Sequence, residues 1–142
     1  MPPPSSPRFV PWLLQMFPTL FLAILFLQSG IDKVIDFRGN QGWLTQHFGN
    51  SPLRGAVTPM LVVLTIIEVS AGVLCAVGLV ELLVLGVPRI AFWGVAVAAT
   101  AFTALFFGQR IAKDYTGAAV LPAYFLVALM GLWTTGRLWP FR

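Results

Sequence analysis

The chain has 142 residues, 58% of them hydrophobic and 10% charged, with a net charge of +4 and a mean hydropathy of +0.85. A soluble domain carries about 25% charged residues, so this chain lacks the polar surface that water demands and reads as an integral membrane protein. Its basic residues are scattered at the ends of apolar runs, which excludes a nucleic-acid patch and fits anchoring against lipid headgroups.

Residues 1–11 read MPPPSSPRFVP. That proline density predicts a flexible tail, and the long apolar run behind it does not read as a cleaved signal peptide. A first membrane helix is predicted over 12–37, with Trp12 at the interface and Pro18 near its start. Its far end turns polar at Gln28 and Ser29, then carries Asp32, Lys33 and Asp36. Lys33 and Asp36 are three apart and share a face, so they are expected to pair. Gly30 permits close approach by a neighbouring helix.

Residues 39–57 form a loop. Within it Trp43, Leu44, His47 and Phe48 have the spacing of a short helix lying on the membrane surface. His47 reads as an interfacial residue, the alternative being a proton relay or ligand contact.

The second helix, 58–80, carries Glu68 near its centre, about 15 Å from its start at 1.5 Å per residue. An ionised carboxylate there costs a few kcal/mol unless it is paired or protonated, so a partner must approach it. Ala71, Gly72, Cys75 and Ala76 form small-residue pairs that favour tight packing. Residues 81–87 read as a short turn. Pro88 opens the third helix, 88–108, in which Ala96, Thr100, Ala104 and Gly108 recur every fourth residue and predict a packing seam. Asp114 or Thr116 can cap the fourth helix, 117–138. Tyr124 brings a hydroxyl that needs a partner, and Trp133, Arg137 and Trp139 mark the exit interface.

These segments predict an all-α membrane four-helix bundle, since helices and closed barrels alone satisfy the backbone in lipid. Four crossings put Arg8, Arg89, Arg137 and Arg142 on one side, and Lys33, Arg38, Arg54, Arg110 and Lys113 on the other. Four basic residues against five leave the orientation open.

The second of these sides gathers Ser29, Asp32, Lys33, Asp36, Arg110, Lys113, Asp114 and Tyr115, with Glu68 deeper below the same mouth. One reading is a polar pocket with Glu68 at its floor, holding a quinone headgroup. Its candidate ligand-binding residues are Glu68, Lys33, Ser29, Asp36, Arg110, Lys113 and Tyr115. The other reading is an ion-pair cluster that ties helices together. A lone cysteine, Cys75, and a lone histidine, His47, allow neither an internal disulfide nor a two-histidine haem. No metal site is expected.

FLQSGIDKVIDF at 26–37, IIEVSAGVLCAVGL at 66–79 and GQRIAKDYTGAAVLPAYFLVAL at 108–129 resemble the DoxX family of small four-helix membrane proteins. The matching positions are Gly30, Lys33, Glu68, Gly72 and Gly78. The resemblance implies a bundle in the bacterial inner (cytoplasmic) membrane, with its N-terminus in the cytoplasm. It also implies a subunit associated with a redox enzyme, after the thiosulfate:quinone oxidoreductase partner that gives the family its name. The resulting expectation is a redox-associated subunit with a quinone or lipid-like pocket near Glu68 and Lys33. Its partners would be membrane lipid, a protein partner or a second copy of itself. The alternatives are a ligand-free scaffold and a small proton-coupled transporter titrating at Glu68.

Overall fold

The computed structural model describes residues 1–137, and the expectations for Leu138, Trp139 and Arg142 lie outside them. Its helices are α1 (Phe9–Ile35), α2 (Phe37–His47), α3 (Val57–Val84), α4 (Arg89–Ile111), α5 (Tyr115–Ala119) and α6 (Leu121–Arg137). Four segments are long and apolar enough to cross a membrane: α1, α3, α4 and the run Tyr115–Gly136. They pack in a closed ring, α1 on α3, α3 on α4, α4 on α6 and α6 back on α1. The molecule is an all-α four-helix bundle and a multi-pass integral membrane protein. Its outer face is a belt of exposed apolar side chains, among them Phe17, Ile24, Val63, Ile66, Trp93 and Leu126, as a lipid solvent requires.

The core is built from aromatic rings and small residues. Phe26 of α1 and Phe102 of α4 meet with ring centroids 4.9 Å apart, and Tyr124 of α6 stacks on Phe102 at 5.9 Å. Around them Leu22, Ala71, Cys75, Val95, Ala98 and Ala128 are buried. Helices approach closely where glycine leaves no side chain between them. A Cβ on Gly72 would lie 2.8 Å from the Leu27 backbone nitrogen of α1, and one on Gly94 would lie 2.7 Å from the Cys75 backbone nitrogen of α3. Gly30 meets Val69 in the same way, and Gly78 meets Ala91. Glycines thus seat α3 against both α1 and α4.

The start of α1 and the end of α3 differ from the sequence expectation. Helix α1 begins at Phe9, inside the stretch expected to be tail. Pro11 falls in its first turn, where the missing N–H has no intrahelical partner to lose. Trp12 is buried between α1 and α3, and its Nε1–H donates to the Leu82 carbonyl at 3.0 Å. Helix α3 continues to Val84 because nothing in Leu82 to Leu85 breaks it. It stops at Gly86, whose φ of +68° is the left-handed conformation glycine adopts freely. Glu81, expected in a turn, is therefore helical and buried, and it works on the next helix. Its Oε2 accepts from the Ile90 N–H at 2.8 Å and its Oε1 from Arg89 Nε at 3.3 Å. An acid at the first turn of α4 satisfies a free N–H and complements the helix dipole.

Pro18 sits inside α1 without ending it. Its ring nitrogen carries no hydrogen, so the Leu14 carbonyl one turn back loses its helical donor. Thr134 of α6 supplies a replacement, with its Oγ1 3.1 Å from the Leu14 oxygen. The same hydroxyl lies 2.9 Å from Met130 O, and Gln15 Nε2 donates to Thr134 O at 3.2 Å. This exchange joins α1 to α6 through the buried side chains of Gln15 and Thr134. Thr134→Val is expected to destabilise the bundle by about 1–2 kcal/mol, measured by denaturation in mixed micelles. In a Pro18→Ala background, where the Leu14 carbonyl regains its own donor, the cost of Thr134→Val should fall. An equal cost in both backgrounds would refute this account.

Candidate functional site

Glu68 lies eleven residues past the start of α3, about 16 Å along the helix, and is 1% exposed. Ser29 and Lys33 are one turn apart on α1, so both face the same neighbour. The Lys33 ammonium lies 2.8 Å from Glu68 Oε2. Lys33 also donates to Ser29 Oγ at 2.9 Å, and Ser29 donates to Glu68 Oε2 at 3.3 Å. The close contact of Gly30 with Val69 brings the backbones near enough for these short links. The lysine starts near the polar end of α1 and extends its stem inward, keeping its side chain 15% exposed. The carboxylate is thus neutralised and hydrogen-bonded inside the bundle.

The other members of the expected pocket are elsewhere. Asp36 does not pair with Lys33. It caps α2, its Oδ1 accepting from the Gly39 N–H at 3.3 Å, because α1 ends one residue earlier and the chain turns there. Arg110 lies over the Tyr115 ring, 4.5 Å from its centroid, and Tyr115 is exposed. Lys113 has a φ of 57°, a turn geometry that directs the chain into α5. Of the seven ligand-binding candidates, Glu68, Lys33 and Ser29 meet, whereas Asp36, Arg110, Lys113 and Tyr115 do not join them.

Of the predicted packing residues, Gly30 and Gly72 sit at close contacts and Gly108 is buried, but Ala96 is half-buried and Thr100 and Ala104 are exposed. Four residues advance a helix by about 400°, so a row at that spacing drifts about 40° per step and leaves the interface. The inward face of α4 instead uses Ala91, Gly94, Val95, Ala98, Ala101 and Phe102, a mixed three- and four-residue spacing. Cys75 is fully buried against Gly94 and serves as a small packing residue.

A separate cavity of about 480 Å³ lies between α2, α3 and α4. Its walls are apolar side chains such as Leu61, Leu64 and Ile67 of α3 and Ala104, Leu105 and Phe107 of α4. Glu68 and Lys33 are not among its lining residues, since their contacts are on the side of α3 that faces α1. Its polar groups gather at the α2 and loop end, at Trp43, His47 and Gln109. The His47 ring stacks on Trp43 with centroids 4.6 Å apart and planes 15° apart, and Phe48 meets it edge-on at 5.2 Å. His47 Nε2 faces Asp114 Oδ2 at 3.5 Å. The other Asp114 oxygen accepts from the Gly117 N–H at 2.9 Å and caps α5. Gln109 Oε1 is buried without a hydrogen-bond partner among the described residues.

The sequence marked Trp43, His47 and Phe48 as a surface helix but gave no sign of the hollow beneath it. The available clue was that an amphipathic helix with an aromatic face needs something apolar to cover. Among the described residues no three His, Cys, Asp or Glu side chains are grouped to hold a metal ion. No family model, curated protein or solved structure matches the chain.

Lys33→Met alone leaves Glu68 without its counter-charge, and the expected loss is about 3–5 kcal/mol. Lys33→Met combined with Glu68→Met removes both charges, and its stability should return to within about 1 kcal/mol of the parent protein. Detergent unfolding of the single and double variants measures both. A double variant as unstable as the single one would show that the pair does more than neutralise itself.

Proposed function

We propose that this protein is a DoxX-like membrane subunit of a redox assembly that holds a quinone in the cavity between α2, α3 and α4. The resemblance to that family supports a bacterial cytoplasmic membrane and an N-terminus on the cytoplasmic side. The observation that carries the reading is the cavity's polarity. Ligand sites are usually apolar hollows of about 300–1,000 Å³ with a few polar groups at one end. This one has that form, and its polar end is near the membrane surface while its apolar end is bounded by lipid-facing residues. A quinone matches it: a flat ring against the Trp43 and His47 stack, oxygens toward His47 and Gln109, and a tail running down between Val63 and Ala104 toward lipid. On this reading Lys33, Ser29 and Glu68 hold α1 to α3 and do not touch the ligand.

The test uses the full chain in nanodiscs, with an azido-quinone photolabel displaced by a decyl-tailed benzoquinone. Ala104→Trp fills the hollow from an exposed position of α4, and Val63→Trp does so from an exposed position of α3. Each should weaken displacement by about tenfold or more, while the Lys33→Met and Glu68→Met pair leaves it unchanged. Labelling that survives both tryptophans, or that is lost with the charge pair, would overturn the assignment.

A second reading, a scaffold that docks a neighbouring helix on the outer face of α4, draws on the exposure of Thr100 and Ala104. Its signature is a change in crosslinked oligomer size with Ala104→Trp and no specific displacement of the photolabel by quinone.

A further inference from the structure

Gln28 is an amide on α1 that the bundle leaves unused. Gln15, Thr19 and Ser29 of the same helix donate to Thr134 O, Gln15 O and Glu68 Oε2. Gln28 is exposed and makes no hydrogen bond among the described residues. Its level follows from its neighbours. Leu27 packs on Gly72 and Gly30 on Val69, so Gln28 stands level with the middle of the 28-residue α3. Either end of that helix is about 20 Å away. Hydrocarbon offers an amide neither a donor nor an acceptor, and a polar group left bare in it costs free energy. Exposed hydroxyls elsewhere on the belt meet the same need within their own helix, Thr100 donating to Ala96 O and Thr103 to Ala99 O. Gln28 makes no such bond.

The residue also falls in a row. Val10, Leu14, Phe17, Phe21, Ile24 and Gln28 follow one another in alternating steps of four and three, and all are exposed. That period of 3.5 keeps one stripe turned toward a parallel neighbouring helix. An apolar groove of about 640 Å³ lies alongside, between Phe17 and Phe21 of α1 and Val127 and Met130 of α6.

We infer that two copies of this chain pair through the outer face of α1, with Gln28 at the two-fold axis. Chemistry identifies the occupant. Copies inserted with the same orientation hold Gln28 at the same depth. A primary amide carries both donors and an acceptor, so two of them facing each other across a two-fold axis satisfy one another, and one surface serves both sides. A lipid chain supplies neither group. A single polar residue in an apolar seam also fixes the register of the pair. Asp32 is exposed one turn nearer the end of α1, and like charges repel, so the contact closes between Val10 and Gln28, the stretch that the groove flanks. None of these residues lines the cavity between α2, α3 and α4, and the inference is independent of the quinone reading.

The full chain in lipid vesicles tests it, with a donor or acceptor dye on an added C-terminal tag. Energy transfer between copies should fall as lipid dilutes the protein. Gln28→Leu should move the midpoint to about tenfold higher protein density, the range of a hydrogen bond between membrane helices. Gln28→Asn keeps an amide and should retain part of the affinity. Thermal unfolding of both variants should match the parent protein, since the Gln28 side chain bonds nothing within its own chain. A second measurement keeps Gln28 in place. In a Cys75→Ala background, Ile24→Cys should form a disulfide-linked dimer under mild oxidation, and Val77→Cys on the exposed face of α3 should not. Absence of energy transfer at every protein-to-lipid ratio would overturn the inference. So would a pair that Gln28→Leu leaves equally tight, or crosslinking through Val77→Cys without crosslinking through Ile24→Cys.

Discussion

A carboxylate in the middle of a membrane helix is tolerable only when something neutralises it, and that requirement fixes how α1 and α3 meet. Glu68 finds Lys33 at 2.8 Å and Ser29 at 3.3 Å, both on one face of α1. The contact has little latitude. Sliding α1 by one turn would leave an uncompensated charge in a medium that charges it at least a few kcal/mol. Apolar packing in lipid has no comparable selectivity, because the solvent is as apolar as the side chains. The pair therefore acts as a register pin, and the glycine contacts on either side of α3 seat the backbones around it.

The same logic recurs wherever the backbone has an unmet need. Pro18 frees the Leu14 carbonyl, and Thr134 lies 3.1 Å from it. The first N–H groups of α4 need acceptors, and Glu81 reaches across from α3. Trp12 is buried against α3, where the Leu82 carbonyl accepts its N–H. Each case pairs a local defect in one helix with a polar side chain in another. Together they define the ring of helices more sharply than the apolar belt does.

Sequence reading reached the features whose cause is local. The long apolar runs state their own helices, the isolated Glu68 states its need for a partner, and Gly30 and Gly72 state close approach. What it missed depends on distant partners. Asp36 and Lys33 look paired at three residues apart, yet α1 ends between them and Asp36 caps the next helix. Residues 81–87 read as a short turn, whereas Glu81 is helical and has its partners eight and nine residues further on. The row from Ala96 to Gly108 looked like a seam because small residues occur on every side of α4, and spacing alone does not say which side faces inward. The cavity was invisible for a different reason. It is bounded by three helices whose lining residues are ordinary apolar ones, and only their arrangement leaves space.

That space also changes the meaning of the midplane acid. If Glu68 were the floor of a ligand pocket, its partner would have to be released whenever the ligand arrived, and the register pin would be lost in the act of binding. The structure puts the charge pair and the hollow on different sides of α3. The side of α3 that faces α1 carries the charge pair and stays closed, and Leu61, Leu64 and Ile67 line a hollow roofed by α2. Helix α2 has no buried residue along its own length. Its ties are the Asp36 cap, the Gln41 bond to Thr58 at 2.7 Å, the contact of His47 with Asp114 and the burial of Phe48 just beyond its end. These ties are separate from the charge pair and the glycine contacts that set the register of α1, α3 and α4. A ligand held in the hollow, as proposed above, therefore leaves in place the one interaction on which the bundle depends.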